Sequence, residues 1–198
     1  IDAAIRQLGV ETGGMDTCIS LLPETGLPWR PRFDAKTLAQ EERMLQSAAY
    51  ILCAYLTGMR DCEVQAMRRG CLAISRSEDG LIMRHRVRSV AKAIDVLERL
   101  SFQAASARGL TTLWPVLAAK SVCKDHLSAE IVRQLNLYRD HLNELFGTIN
   151  EPVIPNSSEG KPWRITTRQF RRTIAWHIAN RPFGTIAGMI QYKHASVA

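Results

Sequence analysis

Residues 48–63 read AAYILCAYLTGMRDCE, and on this stretch the fold turns: a buried helix runs into a glycine corner and leaves Arg60 on the outside of it. Backwards from the corner, Leu45, Ala48, Ala49, Leu52, Cys53 and Leu56 recur at three- and four-residue spacing, which predicts that this face of the helix is core. Gly58 comes just after the last periodic residue. Glycine takes the left-handed conformation there at no steric cost, so the helix is expected to stop and the chain to turn sharply. Asp61 is placed to cap a new turn whose apolar positions are Val64 and Met67. Alone, T-G-x-R-x-x-E also describes a surface arginine with Glu63 as its three-residue-spaced partner. What separates the two readings lies downstream, in TTRQFRRTIAWHIA (residues 166–179) and QYKHAS (residues 191–196).

Outward from the corner, Asp34 to Tyr55 reads as one helix with Asp34 or Thr37 as its N-cap. Residues 1–32 mix Gly13-Gly14, Pro23, Gly26, Pro28 and Pro31 with short periodic patches, which predicts a linker or the tail of a preceding element, one that the family resemblance given below would make a DNA-binding segment. The domain proper is expected over residues 33–198. Beyond the corner, Gly70 to Arg76 and Leu81 to Arg88 alternate around the turn signal at Ser77 to Gly80, which predicts a β-hairpin with a strongly basic second strand. Val90, Ala93, Ile94, Leu97 and Leu100 share one helical face, as do Ile131, Leu135, Tyr138, Leu142 and Leu145 in the helix expected over Ser128 to Phe146. Gly147 should stop that helix, and Thr148 to Pro162, rich in Pro, Asn, Ser and Gly, should be loop. The expected fold is mostly α with a small antiparallel β-sheet.

With 46% apolar and 23% charged residues, the 198-residue chain has the composition of a globular domain able to bury one core. Its formal charge of +7 favours a polyanionic partner. The longest apolar run, Ala48 to Leu56, is about half of a bilayer span, so no membrane partner is expected and the location is read as cytoplasmic. Five cysteines without a C-x-x-C pair predict neither a disulfide framework nor a zinc site.

A helix capped by Thr166 or Thr167 and running to about Ile178 places Arg168, Arg171, Arg172 and Ala175 on one arc. Phe170, Ile174, His177 and Ile178 fall on the opposite, core arc, where His177 reads as a buried histidine. Three like charges on one helix face repel each other, so the arrangement is costly without an anion. A solvated basic face is the simpler alternative. Arginine suits a phosphodiester: its planar fork donates two parallel hydrogen bonds and stays charged. Two such groups can also stabilise the added charge of a pentacoordinate transition state. No carboxylate cluster spaced to hold Mg²⁺ is legible, so no metal or other cofactor is expected.

Thr57-Gly58-Met59-Arg60-Asp61-Cys62-Glu63, Arg168-Gln169-Phe170-Arg171-Arg172-Thr173 and Tyr192-Lys193-His194-Ala195-Ser196 together resemble the three boxes of the tyrosine recombinases, the phage-integrase family, in order and spacing. The resemblance implies the catalytic-domain fold of that family. It also implies DNA strand cleavage and rejoining through a 3′-phosphotyrosine link, without metal or ATP, as in DNA integration by mobile elements. By the same resemblance Arg60 and Arg171 would bind the scissile phosphate, and His194 would donate to it. Arg168 stands where the family usually has histidine, and Glu63 would hold the Arg60 corner. Arg84, Arg86, Arg88, Arg172 and Lys193 are read as DNA contacts. The implied partners are double-stranded DNA and further copies of the protein assembled on it, with a nucleoid-associated location.

The family's nucleophilic tyrosine lies several residues past the last box, and Ala198 is four residues past His194. The expectation is therefore a catalytic domain truncated before its nucleophile. The family's hairpin lysine has no counterpart between Lys36 and Lys92. A non-cleaving DNA-binding protein that keeps the fold is the alternative these departures support.

Overall fold

The computed structural model describes residues 18–72, 84–117, 128–148, 151–186 and 188. These residues are mostly helical: α1 (Ala35–Thr57), α2 (Asp61–Gln65), α3 (Arg84–Ser106), α4 (Ser128–Phe146) and α5 (Thr167–Ala179). The chain divides into two compact units, Ile1–Glu41 and Glu42–Ala198.

In the first unit, the described residues form a tight turn at Gly26 (φ 66°), closed by an isolated antiparallel bridge between Leu21 and Pro28. The Arg30 guanidinium lies 5.5 Å from the Trp29 ring centre and 5.9 Å from that of Phe33, and pairs with Glu41. Asp34 and Thr37 exchange side-chain-to-backbone bonds of 2.7 and 2.8 Å, a reciprocal cap at the start of α1.

The second unit is built around one core. Tyr50, Cys53 and Ala54 of α1 meet Val64 of α2, Ile94 and Leu97 of α3, Leu113 and Trp114, and Ile131 and Leu135 of α4. Burial pushes the Cys53 thiol up to about 12, with a smaller contribution from Cys71. The Trp114 indole N–H donates to the Val64 carbonyl (2.6 Å), which satisfies its one polar atom inside the core.

The buried face of α1 is rotated from the expected one. Met44, Ser47, Tyr50 and Ala54 are buried together with Ala49 and Cys53, whereas Leu45 and Leu52 are exposed. The helix is apolar nearly all round between residues 48 and 56, so its periodicity fits two faces. Close packing selects the one with small residues and a tyrosine whose hydroxyl finds a partner.

The expected hairpin does not form where its residues are described. Arg84 to Arg88, assigned to the second strand, open α3 instead, and residues 73–83 lie outside the described set. Arginine is a good helix former, and a helix already nucleated by the Val90–Leu97 face extends backwards at little cost. Among the described residues no β-ladder forms; there are only isolated antiparallel bridges, Arg68↔Thr112 and Asn156↔Pro162 among them.

Residues 151–166, which take in most of the loop expected over Thr148 to Pro162, are carried along α4 by three side chains. Asn143 bonds both the N–H (2.8 Å) and the C=O (3.2 Å) of Ile154, and Asn136 does the same for Ile165 (3.1 and 2.9 Å). Between them the buried Arg139 donates to the Trp163 carbonyl (2.7 Å). These bonds satisfy backbone groups that no sheet or helix takes up, and they deliver the chain to the start of α5. Of the histidines, His141 is buried on α4, whereas His177, expected in the core, is exposed; the core side of α5 is Ile174, with Phe170 packed against the cluster.

Candidate functional site

The Arg60 corner is made by bonds between near neighbours. Gly58 sits at φ 66°, and its N–H closes on the Ala54 carbonyl at 3.1 Å, the αL stop expected for a glycine after a helix. Arg60, and not Asp61, is the residue that caps α2: its own N–H is held by Glu63 Oε2 at 2.7 Å. Glu63 Oε1 also lies 3.4 Å from Arg60 Nη1, with both side chains well exposed, a pairing of little energetic weight. Asp61 has a different task. Its Oδ1 accepts from the Tyr50 hydroxyl (2.6 Å) and from Gln65 Nε2 (2.8 Å).

On α5, Gln169 accepts from the Thr166 N–H (2.8 Å) and so caps the helix start. With the helix set by Ile174 and Phe170 on the core side, Arg168 and Arg172 are exposed and Arg171 is half-buried. Arg171 Nη1 donates to the Gly58 carbonyl at 3.0 Å, across 113 positions of sequence. That bond joins the two segments singled out by the sequence.

Between them lies a cleft of about 630 Å³. Arg60, Asp61 and Cys62 line one side of it, and Thr167, Arg168, Arg171, Arg172 and Ala175 the other. The volume is that of a ligand-sized cleft. Among the described residues four arginines and one carboxylate, Asp61, line it, and Ala175 leaves room where a larger side chain would fill the space. Several arginines lining one cleft that is open to solvent suit an anion with several acceptor oxygens.

His194 and Lys193 lie outside the described residues, as does Tyr192. Arg84 and Arg86 are in the first turn of α3, and Arg88 is exposed on the same helix. Arg88 is not among the residues that line the cleft. Tyr50 and Asp61 were not singled out as partners from sequence. The only signal was a tyrosine inside an apolar helical run, whose hydroxyl needs an acceptor when buried. Burial, then the Asp61 bond, raises its phenol far above the ordinary value.

Among the described residues no group of three or more His, Cys, Asp or Glu is placed to hold a metal ion, and no helix is long and apolar enough to cross a membrane. Compared with known proteins, the chain matches no family model, no curated protein and no solved structure.

Proposed function

We propose that the cleft binds a DNA phosphodiester and that the protein is the catalytic domain of a DNA strand-exchange enzyme of the tyrosine recombinase type. The observation that carries this reading is the meeting of Arg60 and Arg171 in one cleft, with Arg171 bonded to the carbonyl of Gly58. In that role the two guanidinium groups hold the non-bridging oxygens of the phosphate and offset the charge that builds up as it becomes pentacoordinate. A tyrosine hydroxyl attacks phosphorus, the bond to the 5′-oxygen breaks, and that oxygen takes a proton as it leaves. The 3′-phosphotyrosine link keeps the bond energy, so the reverse attack rejoins the strand without ATP. Arg168 and Arg172 grip the backbone, a contact that positions DNA without reading its sequence. Assembly of several copies on DNA belongs to the same proposal.

The test is a nicked duplex incubated with the full-length protein. A covalent protein–DNA adduct is expected. Retained binding with no adduct on any substrate would favour the second reading, a DNA-binding protein that does not cleave. One feature of the sequence supports that alternative: Arg168 occupies a position at which the family uses histidine, and a guanidinium does not exchange protons at neutral pH. Loss of all DNA affinity at low salt would contradict both.

A further inference from the structure

Below the cleft, one side chain reaches both of its walls. Tyr50 is 1% exposed, with its ring edge-on to Trp114 (5.6 Å between centroids) and to Phe170 (6.4 Å). Phe170 directly precedes Arg171 on α5. The Tyr50 hydroxyl donates to Asp61 Oδ1 (2.6 Å), and Asp61 directly follows Arg60. Ring and hydroxyl thus bear on different segments: the ring on the arginine helix, the hydroxyl on the arginine corner. A phenylalanine would fill the same space in the core, so packing does not account for the hydroxyl; its bond to Asp61 does.

Among the described residues Asp61 is also the one carboxylate lining a cleft to which four arginines contribute. A carboxylate free to swing would pair with an arginine or repel an incoming anion. Here two donors, Tyr50 and Gln65, hold one of its oxygens.

We propose that Tyr50 and Asp61 are a positioning pair that fixes the Arg60 corner against the α5 arginines, so that one phosphate oxyanion is gripped from both walls at once. The proposal rests on the phosphodiester reading of the cleft and adds to it the residues that set its spacing. Because burial keeps the Tyr50 phenol protonated, the bond is in place throughout the neutral range.

The test is a titration of the full chain with inorganic phosphate, followed by NMR at the Nε–H resonances of Arg60 and Arg171. In the wild type both resonances should shift along one binding curve. Tyr50→Phe keeps the ring and removes the bond. Its Arg60 response should weaken by about tenfold or more and separate from that of Arg171. Asp61→Ala should behave likewise, while Asp61→Asn, which retains an oxygen acceptor for Tyr50, should keep the single curve. Thermal melts report the fold of each variant. If Tyr50→Phe fails to fold, the contrast between the Ala and Asn variants at the half-buried Asp61 decides the matter.

A single curve at wild-type affinity in Tyr50→Phe or in Asp61→Ala would overturn the pairing. So would an Asn variant indistinguishable from the Ala variant. If phosphate moves neither arginine in the wild type, the phosphodiester reading itself fails and the pairing falls with it. If the wild type gives one curve and only the variants disagree, the failure is that of the pairing alone.

Discussion

The Arg60 corner and the α5 wall line one cleft, yet they are held by bonds of very different reach. At the corner, the Glu63 carboxylate caps Arg60 from three residues away, and Gly58 closes on Ala54. The α5 wall depends on α4: Asn136 holds Ile165 from 29 positions away, and Arg139 holds Trp163 from 24. A corner made from neighbours is pre-formed as soon as its helix exists. A wall delivered by a tethered loop is only as well placed as the tethers.

Substitutions can break this contrast, and the largest effect is expected where the two walls meet. Arg171→Ala removes both a phosphate ligand and the bond to the Gly58 carbonyl. Adduct formation on a nicked duplex should fall by about a hundredfold or more, the usual scale for losing a transition-state donor, while filter binding shows most of the backbone affinity retained. Cleavage near the wild-type rate would remove Arg171 from the site.

Next come the tethers. Asn136→Ala leaves the N–H and C=O of Ile165 without their partner. Chemical denaturation should show a loss of about 1–3 kcal/mol, with faster amide exchange at the start of α5. Gly58→Ala tests the local side. A side chain at φ 66° costs about 1–2 kcal/mol, and here the disturbance should stay at the corner, leaving exchange in residues 151–166 unchanged. If both variants disturb the same amides, the walls are one cooperative unit and the contrast is lost.

Alkaline pH offers a milder probe. The folded-state values of Tyr50 and Cys53 lie above their ordinary values of 10.0 and 9.0, so each group keeps its proton in the folded protein when the unfolded chain has released it. Their contribution is fully present below about pH 9 and is lost as pH rises above that. Denaturation midpoints should therefore fall from pH 9 to 11, less steeply in Tyr50→Phe. The smallest effect is expected for Glu63→Gln, which keeps an oxygen to cap Arg60 and gives up only an exposed ion pair. Its stability should change by less than about 0.5 kcal/mol.

The same contrast explains what was legible in the sequence. The corner, the cap at Thr166, the basic arc of α5 and the stop at Gly147 are statements about neighbours, and local periodicity and capping rules read them directly. Phe170 and Ile174 were placed on the core side for the same reason. What escaped depends on tertiary choice. The α1 face turned because apolar residues surround the helix and only packing selects among them. The basic alternation over Arg84 to Arg88 fits a strand as well as a helix until a neighbouring helical face settles it. Asn136, Arg139 and Asn143 are ordinary polar residues on a helix until a loop backbone is laid against them. The bond between Tyr50 and Asp61 is of this kind too, an unmet need for an acceptor whose answer lay eleven positions away.

The central claim is that Arg60 and Arg171 grip one anion between them, and crystals soaked in tungstate address it most directly. The account predicts a single anomalous peak in the cleft, within hydrogen-bonding reach of both guanidinium groups. A peak held by only one of them, or a cleft left empty while tungstate binds elsewhere, would contradict it.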